Sequence, residues 1–288
     1  MSKIVHQASC LRLMPALAGL LILLTPAVHA GNISFVDIFG NISYVQTGDG
    51  NALSLNGTFF SLDLNSSTPN AYTSASVSYP GPDSPQALPQ SSPTDYGFQT
   101  GLLPDLATLE AAYPFGTYSF QGMNGPDTDT ATLTYSADDY SQSNPFLTGT
   151  DYSSLQGMNP TQAFTFHFSP YVTGPNATEG DIFFTISDVT TGQTVFTTGG
   201  LPSTTTSVVL PANVLAHGDL FDYELDYSNR DFSSDTGGAN FPPFVGFDTR
   251  ADGEFTTSAA PEPGGLAMLA IAGFAGLFML KRRAKIAA

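Results

Sequence analysis

Apolar and polar residues alternate with a period of two along most of the chain between residues 31 and 258. Successive side chains of a β-strand point to opposite faces, so this period is typical of strands that bury one face. Residues common in turns interrupt the alternation about every eight to twelve positions, which is the spacing found in β-sandwiches. The pattern therefore predicts an all-β fold, namely an antiparallel β-sandwich that is either one large sandwich or two small ones.

The first predicted region covers residues 31–143 and contains most of its strands near the start. They lie at residues 33–39, 42–47, 52–55, 58–64 and 72–79. Asn56-Gly57, between two of these strands, has the composition of a type I′ hairpin turn. Residues 80–93 are rich in proline and predict an extended loop, and a short helix is predicted over residues 104–112 because Pro104 suits its first turn.

The second predicted region, residues 144–258, has a more regular alternation. Thr191-Gly192 and Asp252-Gly253 predict hairpin turns. Two strands have strict alternation: Phe164, Phe166 and Phe168 share a face opposite His167, and Asp222, Glu224 and Asp226 share a face opposite Tyr223, Leu225 and Tyr227. Residues 215–221 resemble the corner before a late strand of fibronectin type III and immunoglobulin-like domains, with Phe221 in place of the usual tyrosine. The resemblance implies an immunoglobulin-like β-sandwich over this region.

The first 30 residues have the features of a secretory signal peptide. Lys3 and Arg12 precede an apolar core at residues 13–24, and Val28-His29-Ala30 provides the small residues of a cleavage site. We therefore expect export through the Sec translocon and cleavage between Ala30 and Gly31.

The last 30 residues have three consecutive parts. Pro261, Glu262 and Pro263 precede an uncharged, mostly apolar run at residues 264–280. Four basic residues follow: Lys281, Arg282, Arg283 and Lys285. A helix over the apolar run would be about 25 Å long, which suffices for a single transmembrane helix with slight local thinning of the bilayer. The basic residues are expected to stay in the cytoplasm, with the preceding domain across the membrane.

This order of Pro-Glu-Pro, apolar helix and basic tail in residues 259–288 resembles the PEP-CTERM sorting signal. The resemblance implies an exported protein of an exopolysaccharide-producing Gram-negative bacterium, with exosortase as its processing partner. It further implies a transient inner-membrane anchor followed by release to the cell envelope, surface or extracellular matrix. The alternative is an ordinary C-terminal membrane anchor.

Charge is distributed very unevenly between the terminal segments and the domain between them. Six of the eight basic residues lie in the terminal segments. Between residues 31 and 260 there are therefore two basic residues, Arg230 and Arg250, and 24 acidic residues. This balance argues against nucleic acid as a partner, because nucleic acids require basic contact surfaces. It also makes contact with an acidic polysaccharide costly unless divalent cations bridge the two. Residues 31–288 contain no cysteine, which excludes disulfides and thiolate chemistry there.

Calcium is the one cofactor that this composition favours as a hypothesis, because carboxylate oxygens are abundant. The sequence contains no complete EF-hand loop, and solvated acidic turns are the alternative interpretation. The candidate ligands fall in three stretches: Asp127 and Asp129; Asp138 and Asp139; and Asp226, Asn229, Asp231 and Asp235.

No catalytic motif is present. His167 and His217 are the two histidines after residue 30, and neither belongs to a zinc-binding or nucleophile motif. We therefore predict a noncatalytic cell-surface or matrix protein associated with exopolysaccharide or biofilm. A carbohydrate-binding module is the first alternative and would require stacking tyrosines such as Tyr140, Tyr152 or Tyr171 on an exposed face. A glycoside hydrolase or other secreted hydrolase is the second, and would require His167 or an acid pair in a cleft.

Overall fold

The computed structural model describes residues 31–233 and 242–260. One long β-hairpin, a small sheet and a short helix form most of the first half of the domain. The predicted signal peptide, residues 264–280 and the sorting motif lie outside the described residues. The elements of this half are β1 (Ile33–Gln46), β2 (Leu53–Ser66), β3 (Ser74–Ser78), β4 (Gln86–Ala87), β5 (Asp95–Gln99), α1 (Leu106–Ala112), β6 (Gly116–Asn124) and β7 (Asp127–Tyr135).

The second half begins with a short helix and ends with two long strands. Its elements are α2 (Asp151–Leu155), β8 (Phe164–His167), β9 (Glu179–Asp188), β10 (Gln193–Thr197), β11 (Leu201–Pro202), β12 (Ser207–Leu210), β13 (Leu220–Phe232) and β14 (Phe244–Thr256). The predicted all-β class is confirmed. Within residues 31–233 and 242–260, no helix has the length and apolar content needed to span a membrane.

One eight-stranded sheet extends through both halves of the domain. Its strands follow the order β10-β9-β13-β14-β1-β2-β5, and β11 also pairs with β9. All of its pairings are antiparallel except that of β1 with β14, which is parallel. The prediction of a purely antiparallel sandwich was therefore wrong in this respect, because the first and last described strands lie side by side in the same direction.

The two smaller sheets pack on the same face of the eight-stranded sheet. A four-stranded sheet, in the order β4-β3-β6-β7, shares one core with β1 and β2, and a two-stranded sheet of β12 and β8 shares a second core with β9 and β13. Strand β14 serves both cores, since Val245 and Phe247 belong to the first and Phe255 to the second. The arrangement is sandwich-like, and the eight-stranded sheet contains strands from both sides of the boundary predicted between residues 143 and 144.

Two glycine positions predicted as hairpin turns lie inside continuous strands. At Gly57, φ is +151° and the register between β1 and β2 shifts, and a Cβ there would lie 2.7 Å from the carbonyl oxygen of Leu103. A Cβ at Gly253 would lie 2.6 Å from the hydroxyl of Tyr223. Both hairpin predictions were wrong, because these glycines allow a bulge or a close neighbour and not a chain reversal. The Thr191-Gly192 hairpin was correct, because Gly192 with φ of +68° lies between β9 and β10.

Gln46, at the end of β1, connects the first half of the domain to the second through its side-chain amide. It is 1% exposed, its Oε1 accepts hydrogen bonds from the backbone N–H of Leu147 at 2.8 Å and the hydroxyl of Tyr223 at 2.7 Å, and its Nε2 donates to the carbonyl of Leu147 at 3.0 Å. Buried polar groups are costly to leave unpaired. This one side chain therefore satisfies three groups contributed by the second half.

Replacement of Gln46 by leucine (Gln46→Leu) is expected to lower the free energy of unfolding by about 2 to 4 kcal/mol, because it leaves the Leu147 backbone groups and the Tyr223 hydroxyl buried without partners. Urea unfolding of the purified protein measures this change. Gln193→Leu, at an exposed position of β10, is the matched control and should change stability by less than about 0.5 kcal/mol. A similarly small effect of Gln46→Leu would show that the bridge does not contribute to stability.

Candidate functional site

The eight-stranded sheet has a second face, turned away from the two smaller sheets, which we call the outer face. In β13 the side chains of Tyr223, Leu225 and Tyr227 are fully buried beneath the sheet. The intervening residues point outward, as the alternation in the sequence predicts. The charged residues of the outer face include Asp37, Asp63, Asp181, Asp222, Glu224, Asp226, Arg230, Asp248, Arg250, Asp252 and Glu254.

The strand register places carboxylates beside one another at the centre of this face. Asp226 of β13 is directly opposite Arg250 of β14, and Glu224 is opposite Asp252. On the other side of the sheet centre, Asp37 of β1 is opposite Asp63 of β2. Side chains directly opposite one another on neighbouring strands interact, so the register creates both ion pairs and repulsive carboxylate pairs.

Both arginines of residues 31–260 lie on this face, and each contacts carboxylate and aromatic side chains. Nη1 of Arg230 lies 3.2 Å from Oδ2 of Asp181, and its guanidinium is over the rings of Phe183 at 5.5 Å and Phe244 at 5.7 Å. A planar guanidinium can form a hydrogen bond at its edge and a cation–π contact on its face at once.

Arg250 has the same kind of environment. Its Nη1 lies 3.0 Å from Oε2 of Glu224, its Nε lies 4.0 Å from Oδ2 of Asp252, and its guanidinium is 4.9 Å from the ring centre of Phe59. The side chains of Arg250 and Glu224 are 28% and 40% exposed, so solvent weakens this ion pair. Two arginines cannot neutralise the larger number of carboxylates on the face.

Several of these carboxyl groups have pKa values above their usual range. Burial, followed by the nearby charges of Asp63 and Asp248, holds the pKa of Asp37 well above it. Burial, followed by repulsion from Asp248, does the same for the pKa of Asp226. Burial also raises the pKa of Asp248 and that of Asp252 to about 6. The outer face therefore takes up protons as the pH falls toward 6, because its neutral carboxyl groups relieve both desolvation and repulsion.

Three of these carboxyl groups also have a buried oxygen without a hydrogen-bond partner in residues 31–233 and 242–260. These are Oδ1 of Asp37, Oδ1 of Asp226 and Oδ1 of Asp248. Such groups are costly when charged, which agrees with the direction of their pKa shifts.

An aromatic cluster lies beside the carboxylates at one end of the outer face. The ring centre of Phe244 lies 5.3 Å from that of Phe35, 5.2 Å from that of Phe39 and 5.5 Å from that of Phe232. Gly246 makes room for this cluster, since a Cβ there would collide with the ring of Phe39. The outer face thus combines apolar rings with hydrogen-bond acceptors.

An acidic cleft of about 370 Å³ lies where β1 ends beside β14. Its lining includes Tyr152 from α2 and three carboxylates of the outer face, Asp222, Asp252 and Glu254. Carboxylates accept hydrogen bonds from hydroxyl groups and attract cations, and a tyrosine ring offers an apolar surface. The cleft can therefore contact either a hydroxylated or a cationic ligand.

The structure distributes the candidate calcium ligands among separate places. Asp127 and Asp129 lie on β7, where Asp129 accepts hydrogen bonds from the backbone N–H of Asn32 and the hydroxyl of Tyr72. Asp226 is on the outer face, whereas Asp231 of the same strand points to the opposite face. Asp235 lies outside the described residues. In residues 31–233 and 242–260, no three acidic, histidine or cysteine side chains are placed to hold a metal ion together.

The structure does bring together Asp139 and Asp231, which the sequence placed in two different candidate stretches. Burial, followed by the charge of Asp139, raises the pKa of Asp231 to about 6. Asp139 is 1% exposed and its Oδ1 accepts a hydrogen bond from the backbone N–H of Asn176 at 2.8 Å. Alternation within one strand was visible in the sequence, but this approach of two distant segments was not.

The two histidines after residue 30 contact structural partners. The side chain of His167 is 57% exposed, and its Nδ1 lies 3.1 Å from Oδ2 of Asp151. Nδ1 of His217 lies 3.1 Å from the carbonyl oxygen of Ser258. Neither of these contacts joins a histidine to a hydroxyl nucleophile.

The three tyrosines considered for sugar stacking are not displayed on one exposed face. Tyr140 and Tyr171 are buried, at 9% and 8% exposure, and Tyr152 is partly buried against the second core. These three residues therefore do not form the exposed stacking face that the carbohydrate-binding alternative requires, because Tyr140 and Tyr171 pack in the interior.

Comparisons with known proteins assign no family. No protein-family profile and no curated protein matches the chain. A solved structure described as a biofilm associated protein, BSP domain, is 15% identical with a TM-score of 0.21, and the match covers 72% of this chain and 28% of the other. The chicken CNTN1 FN1-FN3 domains are 8% identical with a TM-score of 0.24, and the match covers 77% of this chain and 68% of the other. The chain thus spans little more than a quarter of the first structure, and both TM-scores are too low to assign a fold family or a function.

The free energy of unfolding is expected to fall as the pH rises from about 4 through 6. The raised pKa values mean that the folded protein binds more protons in this interval than the unfolded chain, so raising the pH favours unfolding. Asp248→Asn removes one of these groups and should reduce the loss of stability between pH 5 and pH 7.5 by roughly 1 to 2 kcal/mol. Denaturant unfolding at the two pH values measures the difference.

Asp219→Asn is the matched control, because it removes the same charge at an exposed position outside the outer face. It should leave the dependence on pH unchanged. Equal dependence in the Asp248→Asn variant and the unmodified protein would contradict a raised pKa at Asp248.

Proposed function

We propose that the chain is a noncatalytic, exported surface or matrix protein that is processed by an exosortase and contacts extracellular polymer. The terminal sequences support export and sorting, since a signal peptide pattern precedes the domain and Pro-Glu-Pro, an apolar run and a basic tail follow it. In this proposal Ala30 and Gly31 flank the first cut, and Pro261, Glu262 and Pro263 mark the second. The apolar residues 264–280 anchor the protein in the inner membrane before that second cut.

The observation that carries the proposed contact with polymer is the excess of carboxylates on the outer face. Arg230 and Arg250 are occupied by Asp181 and Glu224. The remaining carboxylates can therefore attract divalent cations, which in turn can bridge to anionic groups of a polysaccharide. Without such cations the negative surface repels both anionic polymer and other copies of the protein.

A sugar-binding module is the second candidate, and the cleft beside Tyr152 favours it. The cleft offers three carboxylate acceptors and one aromatic ring within about 370 Å³. A binding mode of this kind would not require calcium, so the two candidates differ in their response to a chelator.

Replacement of both motif prolines, Pro261→Ala with Pro263→Ala, is expected to leave an uncut precursor held in the membrane. The physical reason is that exosortase processing depends on recognition of the Pro-Glu-Pro segment in this proposal. Fractionation of the producing cells and intact mass of the protein measure the outcome. The matched control, Pro89→Ala with Pro93→Ala at two exposed positions of the proline-rich loop, should be processed normally, and normal processing of the motif variant would refute the exosortase proposal.

Co-sedimentation with the exopolysaccharide of the producing organism tests the polymer contact. We expect the processed protein to sediment with the polymer in calcium and to stay in solution in chelator. The variant Asp222→Asn, Asp252→Asn and Glu254→Gln should lose at least half of the bound fraction, because it neutralises the carboxylates of the cleft. The matched control is Asp83→Asn, Asp127→Asn and Asp219→Asn, at three exposed positions away from the outer face.

Binding that persists in chelator would instead support the sugar-binding module. Absence of binding in both conditions would refute contact with this polymer and leave a passive structural or protein-binding role.

A further inference from the structure

The carboxylate of Asp129, on β7, lies against the first residues of the described chain. Its Oδ2 accepts a hydrogen bond from the backbone N–H of Asn32 at 2.8 Å and another from the hydroxyl of Tyr72 at 2.9 Å. Asn32 in turn accepts a hydrogen bond at its backbone carbonyl from the backbone N–H of Ser67 at 2.9 Å. These contacts fix the start of the chain beside an acidic side chain before β1 begins.

The other oxygen of this carboxylate faces Gly31. A Cβ built on Gly31 would lie 3.1 Å from Oδ1 of Asp129. Because Cβ and the backbone nitrogen of one residue are about 2.5 Å apart, the nitrogen of Gly31 lies within about 5.6 Å of Oδ1. Rotation of a free chain end can bring a charged nitrogen at this distance into ion-pair contact.

We propose that Asp129 is the binding site for the α-ammonium group of Gly31 that removal of the signal peptide creates. The inference rests on the proposed export, since it requires cleavage between Ala30 and Gly31. Hydrolysis of that peptide bond by water gives Ala30 a carboxylate, and the released amine of Gly31 takes up a proton. The neutral amide of the precursor becomes a cation beside Asp129.

Cationic side chains are scarce in the domain, so an additional cation beside Asp129 changes its charge balance. Residues 31–260 contain no lysine and two arginines. Both arginines lie on the outer face, where they contact Asp181 and Glu224. The new ammonium group is therefore the cation that processing itself supplies to Asp129.

The surroundings of the ammonium group determine how it responds to pH. Asp129 is the carboxylate in contact with this end of the chain, and Asp127 lies two residues away along β7. Tyr72 supplies a phenol that is hydrogen-bonded to Asp129. Burial, followed by the hydrogen bond to Asp129, raises the pKa of Tyr72 far above its usual range, so this phenol stays neutral where the ammonium group titrates. An ammonium group paired with Asp129 contributes stability below the usual α-amino pKa of about 8, and this stability is lost as the pH rises above it.

The test compares the exported, processed protein with its Asp129→Asn variant. The asparagine keeps an oxygen that can accept both hydrogen bonds but has no charge. Sequencing of the N-terminus first establishes whether the chain begins at Gly31. Thermal unfolding at pH 6.5 and pH 9.5 then measures the pairing. We expect the decrease in Tm between these two pH values to be about 2 to 4 °C larger for the unmodified protein than for the variant.

Two further variants separate the ion pair from a general effect of charge on β7. Asp127→Asn removes the same charge two residues along the strand and should behave like the unmodified protein. Insertion of two serines between Ala30 and Gly31 moves the ammonium group away while Asp129 stays intact, and it should behave like Asp129→Asn. This insertion decides the matter if Asp129→Asn does not fold.

The outcomes separate the inference from the proposed export. If the chain begins at Gly31 but the decrease in Tm between pH 6.5 and pH 9.5 is the same with and without Asp129, the pairing is overturned and the export proposal stands. A chain that begins elsewhere would overturn both the predicted cleavage site and the pairing.

Discussion

The parallel pairing of β1 with β14 is the constraint on which the rest of the domain depends. It runs from Asp37 beside Phe244 to Val45 beside Asp252, joining strands that are about 200 residues apart. Each of these strands also has an antiparallel neighbour, β2 for β1 and β13 for β14, so the pair occupies the middle of the sheet. Because β14 contributes side chains to both cores, separation of the pair would expose each of them.

The central position of this pair also explains the chemistry of the outer face. Side chains in the middle of a sheet are screened from water by their neighbours on both sides, so carboxylates there are partly desolvated even on an open face. Asp248 and Asp226 lie on adjacent central strands and have raised pKa values for this reason. Lysine could not replace the arginines here without loss, because a guanidinium contacts carboxylates at its edge while its face covers Phe59 or Phe183.

The sequence could predict what depends on neighbouring residues and could not predict what depends on distant ones. Alternation correctly divided β13 into buried Tyr223 and Leu225 and outward Asp226, since the period of two is a local property. Glycine was ambiguous: Gly57 and Gly253 resemble turn residues, yet they are needed because Leu103 and Tyr223 approach closely. The parallel pairing, the grouping of carboxylates on one face and the approach of Asp139 to Asp231 depend on register between distant segments.

A domain with so few cationic side chains must reduce the repulsion and desolvation of its carboxylates by means other than ion pairing. Three means are present in the described residues: raised pKa values at Asp37 and Asp226, hydrogen bonds from the backbone and tyrosine at Asp129, and exposure to solvent at Asp127 and Asp219. The first of these means depends on pH, and it acts on the face where Oδ1 of Asp37, Asp226 and Asp248 has no hydrogen-bond partner within residues 31–233 and 242–260. Proton uptake that stabilises the fold therefore removes negative charge from the surface proposed to contact polymer, which couples the stability of the domain to its capacity to bind cations.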